Sequence, residues 1–254
     1  MTNSSAAAGT SPDLALLEEG LARLGLGAAV MDTVVKLLTR YIEEIELFNP
    51  AYGLVKVRDR RELIVKHILD SLAPLNILCR LLEPAAEPGP QGKPRAWRVA
   101  DVGSGAGLPG IPLAVCMSGV EFTLIERMGR RAGFLRNAVA VLGLSNVRVE
   151  ETEMEKITQA GCFDLVVFRA FRPLEPVILK GLLRLLAPGG IIAAYKGRRE
   201  SLEEEMVIAS EKSAGITAAG WESLSWEVFP LEVPFLDNER HLLLIRQGIG
   251  IDSE

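Results

Sequence analysis

The chain reads as an α/β protein in which a mainly parallel sheet of seven strands is covered by helices and preceded by a small helical amino-terminal cap. Three observations predict this. From residue 97 onward, short apolar or alternating runs recur with helix-like segments between most of them, the pattern of a parallel sheet covered on both faces. The last two runs are joined only by a loop, so they form an antiparallel pair at the end of the sheet. Before residue 84 the apolar residues keep a three-four spacing instead, which is the helical period.

Residues 1–12 open on Ser, Ala, Thr and Gly and are expected to be a disordered tail. The helical cap spans 13–83. Ser11-Pro12-Asp13 starts its first helix, with Leu14, Leu17, Leu21 and Leu24 on one stripe. A second helix carries Val34, Leu38, Tyr41, Ile45 and Phe48, and Asn49-Pro50 is expected to end it. A third begins near Arg60 and is broken or kinked near Pro74. Residues 84–95, with prolines and glycines in close succession, have the composition of a linker. The main domain, 96–248, carries strands at Trp97–Val102, Glu121–Glu126, Val147–Glu150, Phe163–Arg169, Gly190–Lys196, Ser225–Phe229 and His241–Arg246. Helices over Arg130–Leu142 and Pro173–Leu186 separate strands within it.

Composition narrows the function classes. Cys79, Cys116 and Cys162 lie far apart without metal-ligand spacing, and three cannot all pair, so a reducing compartment is expected. No basic residue precedes Arg23 and no apolar run opens the chain, which argues against a secretory signal. Val102–Val120 is uncharged but holds five glycines and two prolines, a loop with a buried helix rather than a membrane span. A soluble, cytoplasmic protein is the expectation. The net charge of −5 does not favour nucleic acid, but screening limits each charge to about 8 Å at physiological salt. Local concentration therefore decides, and Arg127, Arg130, Arg131 and Arg136 are clustered, as are Lys196, Arg198 and Arg199. Taken singly, each run reads as a solvated face.

The most informative stretch is Val99-Ala-Asp-Val-Gly-Ser-Gly-Ala-Gly-Leu-Pro-Gly-Ile-Pro112. A buried strand runs into glycines that let the backbone approach a ligand, then into a helix whose first N–H groups are open. In such sheets the ligand lies outside the carboxyl ends of the strands. A dinucleotide and S-adenosylmethionine both fit a glycine loop, and Glu126 at the end of the next strand suits the ribose of either. Asp101 separates them. A carboxylate there repels a pyrophosphate but suits the cationic amino-acid end of S-adenosylmethionine, so Asp101, Gly103, Gly105 and Glu126 are candidate methyl-donor residues.

These residues belong to a longer series. Asn49-Pro-Ala-Tyr52, Val57-Arg-Asp59, His67-Ile-Leu-Asp-Ser71, Asp101–Pro112, Arg130-Arg-Ala-Gly-Phe-Leu135, Arg169-Ala-Phe171, Lys196-Gly197 and Glu239-Arg-His-Leu242 follow in order. From about Phe48 to Arg246 the chain thereby resembles the small-subunit ribosomal RNA 7-methylguanosine methyltransferases, also called glucose-inhibited division protein B. The resemblance implies a Rossmann-like class I methyltransferase fold and S-adenosylmethionine as cofactor. It also implies N7 of a guanine in small-subunit (16S) ribosomal RNA as the target. By the same resemblance Gly103 and Leu108 contact the donor, Met154 and Glu155 flank its adenine, and Arg169 lines the site. Gly53 and Val55 stand where the family usually has Asn and Thr.

An arginine at the ligand-binding edge is costly to desolvate without a partner, so Arg169 is assigned a positioning role. Arg130, Arg131, Lys196, Arg198 and Arg240 are candidate ligands of RNA phosphates, where most nucleic-acid affinity arises. His67, Asp70 and Ser71 share a helix face and read as a structural cluster. Guanine N7 has an in-plane lone pair and no proton to lose, so positioning suffices without a general base or a metal. The rivals are a methyltransferase of this fold acting on a small molecule or protein, an NAD-dependent oxidoreductase, and a non-catalytic adapter. Binding to ribosomal subunits, co-purified ligand absorbance and the intact glycine loop respectively discriminate them.

Overall fold

A computed structural model describes residues 11–82, 96–158, 160–170, 173–200, 202–206 and 224–247. The expected tail up to residue 10, and the linker at 84–95, lie outside the described residues. Helix α1 (Pro12–Arg23) starts as expected, with the Ser11 side chain accepting from Leu14 N at 3.3 Å and Pro12 in the first turn, where its missing N–H costs nothing. Its stripe buries Leu17 and Leu21.

Helix α2 (Ala28–Tyr52) corrects the expected stop at Asn49-Pro50, because it runs through Pro50 to a left-handed cap at Gly53. So close to the end, Pro50 forfeits one intrahelical bond of the last turn, and other contacts hold the segment. Gly53 N donates to Asn49 O at 2.9 Å, and Val55 N donates to the Asn49 side chain at 2.9 Å. Gly53 has φ +59, a left-handed conformation that glycine adopts without strain.

Asp59 then caps α3 (Arg60–Leu63), accepting from Glu62 N at 2.7 Å. The helix widens into a π-helical turn (Ile64–Leu69) and tightens again as α4 (Asp70–Leu72). Pro74 marks the expected break before α5 (Leu75–Leu81).

The strands are β1 (Arg98–Val102), β2 (Glu121–Ile125), β3 (Val147–Glu150), β4 (Phe163–Arg169), β5 (Leu186–Lys196), β6 (Leu224–Leu231) and β7 (Arg240–Gln247). They form one sheet in the order β3-β2-β1-β4-β5-β7-β6. β1 to β5 pair parallel, whereas β7 is antiparallel to both β5 and β6, so the expected late reversed strand is present. β5 begins at Leu186, ahead of the expected Gly190.

Helices α6 (Gly110–Cys116) and α7 (Gly129–Leu142) cover one sheet face, and α8 (Pro176–Leu185) covers the other. Parallel strands buried on both faces are mostly apolar, and central β1 and β4 are so apart from Arg98, Asp101, Asp164 and Arg169. The amino-terminal helices are not a detached lid. Leu38, Ile45, Ile68 and Leu72 share one continuous core with Ile111 of α6, Phe134 of α7, and Leu165 and Ala193 of the sheet. They reach the carboxyl edge at particular points: Tyr41 donates to Ala106 O in the glycine loop, and Tyr195 donates to Ser71 O at 2.8 Å.

Candidate active site

After β3 the chain returns to β4 on the far side of β1, so the strand order reverses beside β1. Ligands of open α/β sheets bind outside the carboxyl ends of the strands at such a switch point. The glycine loop lies there. Gly103 N and Ser104 N both donate to Ile125 O, at 2.9 and 3.1 Å, which ties the loop to the end of β2. Gly107, at φ +89, illustrates why these positions are glycine: a Cβ would lie 2.5 Å from Ile111 Cδ1 and in a backbone region that side chains disfavour.

Two carboxylates shape the loop. Glu126 is buried at the end of β2. One of its oxygens accepts from Gly105 N at 2.9 Å and the other from Met128 N at 2.8 Å. A carboxylate oxygen has further lone-pair capacity, so both can still accept from ligand hydroxyls. Asp101 is fully enclosed; Oδ2 accepts from Gly110 N at 2.9 Å, while Oδ1 has no hydrogen-bond partner among the described residues.

Burial pushes the Asp101 carboxyl up to about 7, although the Gly110 N–H pulls it down. An acid whose folded value is raised folds best when protonated, so it withdraws stability as pH rises from the unfolded value of about 3.9 towards 7. Asp101→Asn is therefore expected to gain on the parent between pH 5 and pH 8, with the Tm difference widening by several degrees in favour of the variant. A pH-independent difference would remove the buried-acid account of Asp101.

A cleft of about 510 Å³ opens beside the loop, within the usual size range for small-molecule sites. Gly103, Glu126, Met154 and Glu155 line it, as do Arg130 and Arg131. Asp101, Gly105 and Leu108 do not, and the Leu108 side chain is buried in the core instead. Arg169 does not line it either, although the next residue, Ala170, does. Sequence reasoning missed Tyr52, Met128 and Thr152 in the lining. Tyr52 packs edge-on against Phe48, with ring centroids 5.5 Å apart, and Phe48 in turn meets Phe134 at 5.6 Å. The Asn-Pro-Ala-Tyr series that ends at Tyr52 was the one signal that could have found it.

The expected phosphate ligands divide. Arg130 and Arg131 sit at the cleft rim and form no ion pair among the described residues. Arg198 is exposed. Lys196 is already engaged, with Nζ 2.6 and 2.8 Å from the two Glu205 carboxylate oxygens. Arg136 pairs with Glu151 at 2.7 Å, outside the group. Arg169 has the partner its position demands: Nη1 lies 2.8 Å from Asp70 Oδ2, and Nη2 lies 3.1 Å from His67 Nδ1. Burial first, and then the Arg169 charge, depress His67 to about 4, so the ring is neutral near pH 7. Arg240 Nε reaches the other Asp70 oxygen at 2.8 Å. His241 Nδ1 lies 2.7 Å from Gly197 O, which makes it a donor there.

Among the described residues no helix is long and apolar enough to cross a membrane. A family model described as rRNA small subunit methyltransferase G matches residues 34–225. A ribosomal RNA small subunit methyltransferase G of Treponema denticola is 36% identical over 249 residues, covering 91% of this chain and 94% of its own. The protein of that name from Stenotrophomonas maltophilia is 38% identical, covering 91% and 93%, and that from Xanthomonas axonopodis pv. citri is 37% identical, covering 95% and 99%. Among solved structures, a proposed S-adenosyl-L-methionine-dependent methyltransferase from Methanococcus maripaludis superposes with a TM-score of 0.53. It is 16% identical and covers 84% of this chain and 93% of that one, a likeness of fold.

Proposed function

The chain belongs to the rRNA small subunit methyltransferase G family, and from that premise we propose that it transfers a methyl group from S-adenosylmethionine to N7 of a guanine in small-subunit (16S) ribosomal RNA. The observation that carries the reading is the cleft at the end of β1 and β2, with buried Glu126 in its lining beside Gly103, Met154 and Glu155. Glu126 would accept from the ribose hydroxyls, Gly103 would admit the ligand to the backbone, and Met154 and Glu155 would flank the adenine. Asp101, with its unpartnered oxygen, is the acid nearest in sequence for the cationic end. When bound, the donor supplies a methyl group already activated on a sulfonium.

The protein's own work is then to hold a guanine in line with that methyl and to exclude water. Both histidines support a mechanism without a base. His67 Nδ1 faces the Arg169 guanidinium and His67 stays neutral near pH 7; His241 is buried, with its Nδ1 spent on a carbonyl. The single-turnover rate at saturating donor and RNA should therefore be nearly flat from about pH 6 to 8.5, a range that spans the free histidine value of about 6.5. A limb near that value that vanishes in His67→Gln or His241→Gln would reject this mechanism.

The direct test is to incubate the chain with labelled donor and small ribosomal subunits or their RNA, then locate 7-methylguanine by chemical strand cleavage. Label confined to protein or to a small molecule would overturn the substrate. Arg130 and Arg131 would grip phosphates at the rim. Replacing both with Gln is expected to flatten the log-log salt dependence of RNA binding by about 0.7–0.9 for each phosphate no longer held. Donor affinity should barely change. An unaltered slope would leave these arginines as a solvated face.

A further inference from the structure

Helix α8 holds the turn that carries Met154 and Glu155 from behind. Between β3 and β4 the chain makes a 3₁₀ turn (Met154–Lys156), and three carbonyls in and just after it meet a single guanidinium. Arg184 Nη1 donates to Ile157 O at 2.9 Å, and Nη2 donates to Met154 O at 3.0 Å and to Glu155 O at 3.3 Å. A turn this short leaves its last carbonyls without helical partners, and a cation there satisfies them and meets their partial negative charge. The main chain of Arg184 adds to the fastening, because its own carbonyl accepts from Gly161 N at 2.9 Å, just before β4 begins. One residue near the end of α8 thus ties down two stretches of the connection between β3 and β4.

Gly181 stands one turn earlier on the same face of α8. A Cβ there would lie 2.5 Å from Met154 Cε and 3.5 Å from its Sδ, so the helix backbone touches the methionine side chain directly. Met154 is 3% exposed, yet it lines the cleft, so it forms a thin wall between α8 and the space a ligand would fill. Glycine is a poor residue for a helix interior, and this contact accounts for it, since the wall is set back by the width of a methyl group. Neither Gly181 nor Arg184 lines the cleft itself. Arg184 places the backbone of the turn, and Gly181 sets the depth of its side chain.

We propose that Arg184 is a positioning residue for the methyl donor: through the carbonyls of Met154, Glu155 and Ile157 it sets the wall against which the donor's adenine lies. The inference rests on the reading of Met154 and Glu155 as the residues that flank the adenine, and adds what holds them there. Because Arg184 lies outside the cleft lining, its loss leaves every group that meets the donor chemically intact and changes only where the wall stands. Donor binding should therefore suffer, and among donor-like ligands the loss should follow the base. The transfer step, once the site is filled, should proceed as before. A role in stability alone predicts the opposite split, a lower melting temperature with donor affinity unchanged.

The test compares Arg184→Gln, Arg184→Lys and Gly181→Ala with the parent by calorimetry. The ligands are S-adenosylhomocysteine and its hypoxanthine counterpart, in which a carbonyl replaces the 6-amino group. In Arg184→Gln the affinity for S-adenosylhomocysteine is expected to fall about tenfold, as it does when the binding-competent turn is populated about a tenth of the time. The parent's preference for adenine over hypoxanthine should narrow with it. Arg184→Lys should recover part of both, since an ammonium keeps the charge but lacks the planar fork that spans three carbonyls. KM for the donor should rise in step, while kcat and the affinity for small-subunit ribosomal RNA stay within twofold. Gly181→Ala keeps the fold, because alanine favours a helix and the atom it displaces is the mobile end of Met154. It pushes that methyl towards the cleft, and donor affinity is expected to drop severalfold. A folded Arg184→Gln, or Gly181→Ala, that binds S-adenosylhomocysteine within twofold of the parent would overturn the assignment, as would equal losses of donor and RNA affinity. A parent that does not distinguish the two bases would instead remove the reading of Met154 and Glu155 on which the proposal rests.

Discussion

Glu126→Gln is expected to weaken binding of the methyl donor roughly tenfold, and Glu126→Ala about 100-fold or more, with the fold retained in both. The reasoning starts from the hydrogen bonds. Each Glu126 oxygen accepts from a backbone N–H, one from Gly105 and one from Met128. A carboxylate satisfies both because it is all acceptor; Gln must turn its own NH₂ towards one of them. That N–H is then left facing a donor, the loop loses its tie to β2 on that side, and the ribose meets one acceptor in place of two. A hydrogen bond to a charged group contributes about 1.5–3 kcal/mol, and about 1.4 kcal/mol is a factor of ten in affinity. One missing bond therefore gives the Gln value and two give the Ala value. Calorimetry with S-adenosylhomocysteine reads the affinities, and circular dichroism with Tm checks the fold. A folded Glu126→Ala variant that binds within twofold of the parent would take Glu126 out of the donor site.

Which features are legible in the sequence follows from how local each one is. β4 matches its expected bounds because a run of apolar residues is itself the signal for a strand buried on both faces, and β3, at the sheet edge, matches because Val147 and Val149 alternate with Arg148 and Glu150. Pro188-Gly189 looks like a turn, which puts the expected start of β5 at Gly190, yet Leu186 already pairs with Phe163 across an irregular register. Pro50 misleads for a related reason: its local rule is sound, but the helix end is set by Gly53 and by Asn49 contacts that a sequence does not display.

The site divides in the same way. Gly103 and Glu126 are legible because the spacing of a strand, a glycine loop and the next strand's end is a local rule. Met154 and Glu155 come only from the family resemblance. Asp70 shows in the sequence as one member of a helix-face cluster with a structural look. What that face lacks in the sequence is its partners, since Arg169 and Arg240 lie 99 and 170 residues away. Lys196 and Arg198 stand together by their charge, but the Glu205 carboxylate already holds Lys196, a tertiary contact that composition cannot announce.

Gly110→Ala is expected to lower the melting temperature by about 6–12 °C, whereas Gly105→Ala should cost only a few degrees, although both glycines belong to one loop. The contrast separates two reasons for glycine. Gly110 does not need a left-handed backbone; it needs space. A Cβ there would lie 2.4 Å from Leu124 Cδ2 and 2.6 Å from Asp101 Oδ2. Leu124 and Asp101 are both fully buried, so neither can swing aside into solvent. The start of α6 must move, and with it goes the 2.9 Å bond from Gly110 N to Asp101, the carboxyl whose other oxygen already lacks a partner. Overpacking costs about 1–3 kcal/mol and an unsatisfied buried acceptor about as much again. At about 2–4 °C per kcal/mol for a chain of this size, a loss near 3 kcal/mol gives the stated range. Gly105 is the reverse case. It has φ +58, and its Cβ would meet nothing closer than Gly103 O at 3.8 Å. Only the left-handed conformation resists alanine, at roughly 1–2 kcal/mol. Thermal unfolding of the two variants side by side decides the matter. Equal losses, or a larger loss at Gly105, would mean that the crowding around Asp101 and Leu124 relaxes freely and that it is not what demands a glycine at the start of α6.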